Sequence, residues 1–419
     1  MTACSTTQVQ LCSTDADCQS SGTAICRNGL CFDPGPGDAG AASDARVARL
    51  DGGIDPPPAG AVPTGYPVPT AAHRAQCQTV PIGQGSGVSP GFCPGGGAGP
   101  VCIECLFGGA TYDTSTAVTT TPTATAEAGN YVVTVDLGGA AAGDTYVTAE
   151  ANRGLLATTK TAAGQTTEYA FVVDVRAREG QPQEAVANGY PGLDLFFSGT
   201  NPQVSGIGFG LVAAATKPIT VYIASDSTAC DQTDQAFAGW GQALPEYFAP
   251  PIEIANYADS GESSSSFNGA QKWQAIIAHW VPGDWLLVQF GHNDKGVADS
   301  VVQANLENYV SQALAANVTP VVISPPARVQ ITNGVEGDQS SLHAAAAQAA
   351  AAAKNVAYID LTSLSTAWYN SLGSQAAALK FHANDSDVTH TNMAGAVEIA
   401  GLVTTAMKTQ NIPLARYLR

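Results

Sequence analysis

The sequence predicts an α/β protein: a three-layered domain on a parallel sheet at 216–419, preceded by a β-sandwich at 66–215 and a cysteine-rich module at 1–33. Three observations predict it. Beyond Pro218, continuous apolar runs alternate with helix-like segments, the pattern of a parallel sheet covered on both faces. Between 131 and 212, short β-branched or aromatic runs succeed one another without helix-length amphipathic stretches, the rhythm of an antiparallel sandwich. Nine of the ten cysteines fall in the first quarter of a chain whose 419 residues exceed one ordinary core.

The first module is centred on CSTDADCQSSGTAICRNGLC and holds too few apolar residues to fold without staples. Cys4, Cys12, Cys18, Cys26 and Cys31 lie here, followed by Cys77, Cys93, Cys102 and Cys105. With Cys230 the total is ten, and an even total of cysteines, nine of them among Gly, Pro and Ser, reads as a disulfide framework, and so as a secreted or cell-surface, extracytoplasmic protein. Cys102 and Cys105 have no partners at zinc spacing and no His close behind them, so no metal is expected. Residues 34–65, rich in Pro, Gly, Ala and Asp and without periodicity, form a linker. Strands are expected at 131–137, 145–150, 167–175, 193–197 and 204–212. Their aromatics, Tyr131, Tyr146 and Phe196, are read as core in preference to a glycan-binding surface, because strand aromatics are usually buried.

In the C-terminal half, strands are expected at 219–224, 252–255, 285–290, 320–324 and 356–360. Helices are expected at 239–248, 269–280, 300–316, 341–354 and 391–407, the fourth (SLHAAAAQAAAAAK) with the highest helix propensity. A balance of 17 basic against 35 acidic residues argues against nucleic acid and anionic membranes as partners. The sequence contains no apolar run of spanning length, and a monomer is expected.

Four segments of this half fall at strand ends: Asp226-Ser227, then 256–261 (NYADSG), 289–294 (QFGHND) and 387–390 (DVTH). Together they hold what acyl transfer needs. Ser227, at the tip of a turn after the first strand, is placed as nucleophile; His390 takes and returns its proton; Asp387 orients the imidazole. Three donors are candidates for the tetrahedral oxyanion: the backbone N–H of Ser227, that of Gly261, and the side-chain amide of Asn293. His292 is expected to pack or bond within its own turn. Trp240 and Trp273, beside the first two segments, are candidates for stacking on sugar rings, with burial an equal bet. Arg328, after the fourth strand, is a candidate for meeting an acidic sugar or pairing with a carboxylate such as Asp294.

These segments resemble, in order and spacing, the conserved blocks of the SGNH (GDSL-type) hydrolases. Gly239-Trp240-Gly241, QFGHND and DVTHTNMAGA look like the rhamnogalacturonan acetylesterase branch. The resemblance covers about half the chain, from Thr216 onward. It implies a flavodoxin-like sheet of five parallel strands, a Ser–His–Asp triad, and removal of O-acetyl groups from plant cell-wall polysaccharides without a cofactor. One residue departs from the pattern: Ser225 stands where the family carries Gly. If that Gly supplied a positive φ, Ser225 would be strained, and altered activity is expected at most. Cys230, three residues after the nucleophile, either pairs with a cysteine of the first quarter or is a buried thiol.

Acetylated rhamnogalacturonan, pectin and xylan are the substrates in view, and the chain's acidity favours the neutral one at low salt. Two rivals stand beside this reading. One is a short-chain, aryl or feruloyl esterase on the same scaffold. The other is a catalytically weak glycan-binding surface protein.

Overall fold

The computed structural model describes residues 25–27, 30–32, 79–81, 102–107, 129–175, 193–211, 218–232, 236–337 and 339–419. The expected linker and the side chains of the first nine cysteines lie outside them, and the disulfide framework with them. Two short antiparallel strands come first, β1 (Ile25–Arg27) and β2 (Leu30–Phe32).

Eight strands follow: β3 (Thr79–Pro81), β4 (Cys102–Phe107), β5 (Gly129–Gly138), β6 (Gly143–Ala149), β7 (Arg153–Thr161), β8 (Thr166–Val175), β9 (Leu193–Asn201) and β10 (Val204–Leu211). They make two sheets, ordered β3-β4-β9-β6-β7 and β10-β5-β8. Both sheets bury one apolar cluster that includes Tyr131, Val133, Phe171, Val147, Leu195 and Phe197. Pairing is antiparallel except between β4 and β9, which run parallel. Strand β7 has no counterpart in the sequence expectation. Its first half is buried throughout and its second half alternates outward through polar residues, so no single period marks it. Tyr131 is core, as read. Tyr146 is core too, but it belongs to the apolar cluster of the α/β half.

The main sheet comprises β11 (Ile219–Ala224), β12 (Ile252–Asn256), β13 (Trp285–Val288), β14 (Thr319–Ile323) and, after a two-residue ribbon of β15 (Ile331–Thr332) and β16 (Val335–Glu336), β17 (Ala357–Ile359). Its order is β12-β11-β13-β14-β17, every pair parallel. The chain leaves β11 for β12 on one side and crosses to β13 on the other. This reversal opens a crevice at the carboxyl end of β11, where such sheets keep their sites.

Eight α-helices are described: α1 (Trp240–Ala243), α2 (Ser266–Gly269), α3 (Gln271–His279), α4 (Asp299–Ala315), α5 (Ala344–Lys354), α6 (Leu361–Leu372), α7 (Gln375–Leu379) and α8 (Met393–Thr409). Tyr222, Leu286, Val288 and Val322 face the cluster that holds α4 and α5; Val221, Ile223, Leu287 and Ile323 face the one that holds α8. Two expected helices are broken. The segment 239–248 is α1 followed by a 3-10 turn, Leu244–Tyr247, because Pro245 cannot continue an α-ladder. The segment 269–280 divides at Ala270, whose backbone is extended. Helices α6 and α7 were not expected. The signals of α6 were nevertheless present: Asp360 caps its start by accepting from Ser363 N, and Gly373 closes it at φ 77°. Among the described residues, no helix is long and apolar enough to cross a membrane, and no group of side chains is arranged to hold a metal ion.

The β sheets sit directly on the α/β half. Tyr146 donates to Glu246, and the Arg419 guanidinium bridges Phe248 O at 2.7 Å and Ala170 O at 2.8 Å.

Candidate active site

Strand β11 ends at Ala224, and the chain turns at 226–229, closed by Ala229 N to Asp226 O. Asp226 is fully buried under the turn; its Oδ1 accepts from Thr228 N at 2.9 Å and lies 2.7 Å from Thr228 Oγ1. Burial pushes this carboxyl up to about 6, against the bonds from Thr228 and Gln289 and the pull of His390. Ser225 carries no positive φ, so the substitution for Gly leaves the backbone unstrained. Its buried Oγ has no hydrogen-bond partner among the described residues.

The turn presents Ser227 to the loop before α8. Ser227 Oγ lies 2.9 Å from His390 Nε2, and His390 Nδ1 lies 2.9 Å from Asp387 Oδ2. The other oxygen of Asp387 accepts from the backbone N–H groups of Thr389 and His390, each at 2.8 Å. Burial raises the Asp387 carboxyl, but these three bonds outweigh it and hold the group below its ordinary value. Phe237 meets the His390 ring edge-on at 5.8 Å. Thr391 then ties the loop to the strand-β11 side through Ala238, whose N–H donates to Thr391 O at 2.8 Å and whose O accepts from Thr391 Oγ1 at 2.7 Å.

Gly261 sits at φ +82°, with no protein atom near the place a Cβ would take. Asn293 donates from Nδ2 to Glu262 O at 2.9 Å, joining the loops after β12 and β13. An amide carries a second N–H, which that bond leaves for another acceptor. Asp294 fastens the same two loops, accepting from Ser264 Oγ at 2.6 Å and from Ser264 N.

Several sequence expectations need correction. Trp240 and Trp273 are each 1 % exposed and offer no face to a sugar. Trp240 points under the turn that carries Ser227, where its Nε1 donates to Gln289 Oε1 at 2.9 Å. Gly239 and Gly241 flank it because a Cβ at the first would overlap the backbone of Ala229 and Cys230, and one at the second would overlap Ala229 O and the Asn256 side chain. Trp273 packs against Phe267, Trp280 and Tyr309. Arg328 does reach the site, but not through Asp294, which Ser264 occupies. Its Nε donates to Thr389 Oγ1 at 3.2 Å and one terminal nitrogen to His292 O at 3.2 Å. His292 is buried and donates beyond its own turn, from Nε2 to Pro326 O at 3.0 Å; burial and the Arg328 charge push it down to about 3, so it is neutral. Of the two alternatives expected for Cys230, the structure shows the second, a free, buried thiol, 3.4 Å from Ser227 O.

Sequence reading missed Gln289 and Asp231. Gln289 Nε2 donates to Asp226 Oδ2 at 3.3 Å, completing a polar floor beneath Ser227. Asp231 pairs with Arg153 of β7 at 2.7 Å, a partner seventy-eight residues away that no local spacing advertises.

A GDSL-like lipase/acylhydrolase family model matches residues 224–396. The chain is 33 % identical over 207 residues to a probable rhamnogalacturonan acetylesterase, YesY, of Bacillus subtilis, covering 46 % of this chain and 94 % of that one. It is 31 % identical over 220 residues to the rhamnogalacturonan acetylesterase RhgT of the same organism, covering 48 % and 95 %. Among solved structures, the YxiM protein of Bacillus subtilis is 22 % identical, with 81 % of this chain and 89 % of that chain covered at a TM-score of 0.47.

Proposed function

Because the chain belongs to the GDSL-like lipase/acylhydrolase family, we propose that it is an exported carbohydrate esterase that removes O-acetyl groups from a pectic polysaccharide of the rhamnogalacturonan class. The observation that carries the reading is the continuous line Ser227 Oγ, His390 Nε2, His390 Nδ1, Asp387 Oδ2, with both steps at 2.9 Å. In this reading Ser227 Oγ attacks the acetyl carbon while His390 Nε2 takes its proton. The N–H groups of Ser227 and Gly261 and the free amide hydrogen of Asn293 receive the oxyanion. Collapse breaks the ester bond, and the sugar oxygen leaves with the proton held on His390. Water, deprotonated by the same imidazole, then releases acetate and restores Ser227. Asp387 keeps Nδ1 protonated throughout, so that Nε2 is the basic nitrogen.

Two lines support the substrate class. Two relatives that the chain covers almost entirely carry rhamnogalacturonan acetylesterase in their names. Arg328, half-buried beside Thr389, supplies a cation next to the His390 loop that suits the acidic sugar of such a backbone. We assign 216–419 as the catalytic domain, 66–215 as an accessory β-sandwich, 34–65 as linker and 1–33 as a disulfide module. Export rests on the clustering of cysteines at 4–105.

The test is acetate release from acetylated rhamnogalacturonan, acetylated xylan and p-nitrophenyl acetate by wild type and Ser227→Ala. Release from rhamnogalacturonan that the variant lacks is expected. Release from xylan alone overturns the substrate class, and release from p-nitrophenyl acetate alone makes the protein a general esterase. Activity that survives in Ser227→Ala overturns the triad.

A further inference from the structure

The turn joining β6 to β7 holds two non-glycine residues at positive φ, Glu150 at 56° and Asn152 at 61°. Such a turn is costly for side-chain-bearing residues and persists where its surroundings demand it. Here the surroundings are the loop that follows Ser227. Arg153, 2 % exposed, donates from Nε to Asp231 Oδ2 at 2.7 Å and from a terminal nitrogen to Asp174 O at 2.7 Å. Asp231 Oδ1 accepts from Asn256 Nδ2 at 2.8 Å, and the same amide group donates to Ala229 O at 2.6 Å. A second path runs beside the first. Asn152 Nδ2 donates to Gln232 O at 3.2 Å, and Gln242 Nε2 bridges Ala151 O and Gln232 O at 2.6 and 2.9 Å. Gln232 Nε2 reaches back to Ser227 O at 3.4 Å. Both paths therefore start on the β sheets and end on backbone carbonyls of the nucleophile turn.

We propose that Arg153 is a positioning residue for the esterase reaction: through Asp231 and Asn256 it fixes the Ser227–Gln232 loop, and with it the direction of Ser227 Oγ and of its backbone N–H. This rests on the functional reading above. A buried ion pair is a poor source of stability, since desolvation of both charges offsets most of their attraction. What it does supply is direction, because a guanidinium is planar and its donors are fixed relative to one another. Burial works against the Arg153 charge, but Asp231, Asp174 and Glu150 together outweigh it and push the guanidinium above its ordinary value, so it stays protonated. The loop it grips carries the attacking oxygen, and a displacement of about 1 Å in a reacting group costs up to roughly a hundredfold in rate. The β sheets thus serve the reaction from behind the site, without touching substrate.

The experiment compares wild type, Arg153→Met, Arg153→Lys and Ser227→Ala on p-nitrophenyl acetate, too small to report on polysaccharide contacts. Each variant's fold is checked by circular dichroism, and its Ser227 reactivity by the labelling rate with a fluorophosphonate. In Arg153→Met, kcat and labelling rate are expected to fall about 10- to 100-fold while KM stays within about threefold. Arg153→Lys keeps the charge and loses the fork, and is expected to recover part of the loss while remaining at least about threefold slow. If Arg153→Met fails to fold, Arg153→Lys alone decides. A folded Arg153 variant with wild-type kcat and labelling rate, beside an inactive Ser227→Ala, overturns the positioning role and leaves the triad standing. Activity surviving in Ser227→Ala overturns the triad, and the positioning role with it.

Discussion

The phenol of Tyr146 donates a 2.6 Å hydrogen bond to Oε1 of Glu246, one hundred residues further along the chain. This bond lies where the β sheets meet the α/β half, and both side chains are essentially excluded from water. Burial pushes the Glu246 carboxyl up to about 7 from its ordinary 4.5, and the Tyr146 bond only partly opposes it. A carboxyl raised on folding contributes stability that is fully present below its unfolded value and is lost as pH rises through its folded one. The contact between the two halves should therefore weaken between pH 4.5 and about 7.

Urea unfolding at pH 5 and pH 8 measures this. Wild type should lose stability on going to the higher pH, with a contribution from Glu246 on the order of 3 kcal/mol. Asp226, raised to about 6, adds to the loss with the same sign. Glu246→Gln keeps the shape without the charge and should flatten the slope. An unchanged slope in that variant would show that Glu246 is not the titrating group.

Trp240 makes a second prediction, because its indole is buried beneath the turn that carries Ser227. Trp240→Phe removes the donor to Gln289 and leaves a void, costing about 2–3 kcal/mol. Gln289 also bonds Asp226, so kcat should fall severalfold as the floor under Ser227 relaxes. KM for an acetylated polysaccharide should hardly move. A KM raised tenfold at unchanged stability would mean the indole meets substrate after all.

How much of this was legible in advance depended on the range of the interaction. The main strands and Ser227, His390 and Asp387 lie in local patterns: an apolar run that stops at a turn, and an Asp-x-x-His ahead of a helix. Trp240 was ambiguous for a physical reason. A tryptophan between two glycines reads equally as an exposed platform and as a side chain between close-packed backbones. Only the overlap that a Cβ at Gly239 or Gly241 would make with Ala229 or Cys230 decides it. Arg153 and Asp231 were beyond reach. A buried charge in a strand looks like an ordinary surface residue until its partner, seventy-eight positions on, is folded against it.

Two glycines of the site should respond differently to alanine. At Gly239 a Cβ would collide with the rigid backbone of Ala229 and Cys230, so the Ser227 turn itself must shift. Gly239→Ala should cost about 1–3 kcal/mol and lower kcat with it. At Gly261 there is open space, and the obstacle is φ +82°. Gly261→Ala should cost only about 1–2 kcal/mol, while kcat falls as the proposed oxyanion donor is redirected. Melting temperatures beside kcat values test the contrast, and a stability loss larger in Gly261→Ala than in Gly239→Ala would contradict it.

The sharpest prediction concerns Asp387→Asn. One oxygen of Asp387 is committed to the backbone N–H groups of Thr389 and His390, so the asparagine carbonyl will take that place. Its NH₂ then faces His390 Nδ1, which must turn from donor to acceptor. The imidazole proton moves to Nε2, the nitrogen that lies 2.9 Å from Ser227 Oγ, and that nitrogen can no longer accept the serine proton. The loop keeps its shape while the base is lost. We expect kcat on p-nitrophenyl acetate to fall by about 10³–10⁴ with KM and melting temperature close to wild type. Asp387→Ala also abolishes the two backbone bonds, so it should lose stability as well as rate. If Asp387→Asn retained more than about a tenth of wild-type kcat, the His390 tautomer would not depend on Asp387.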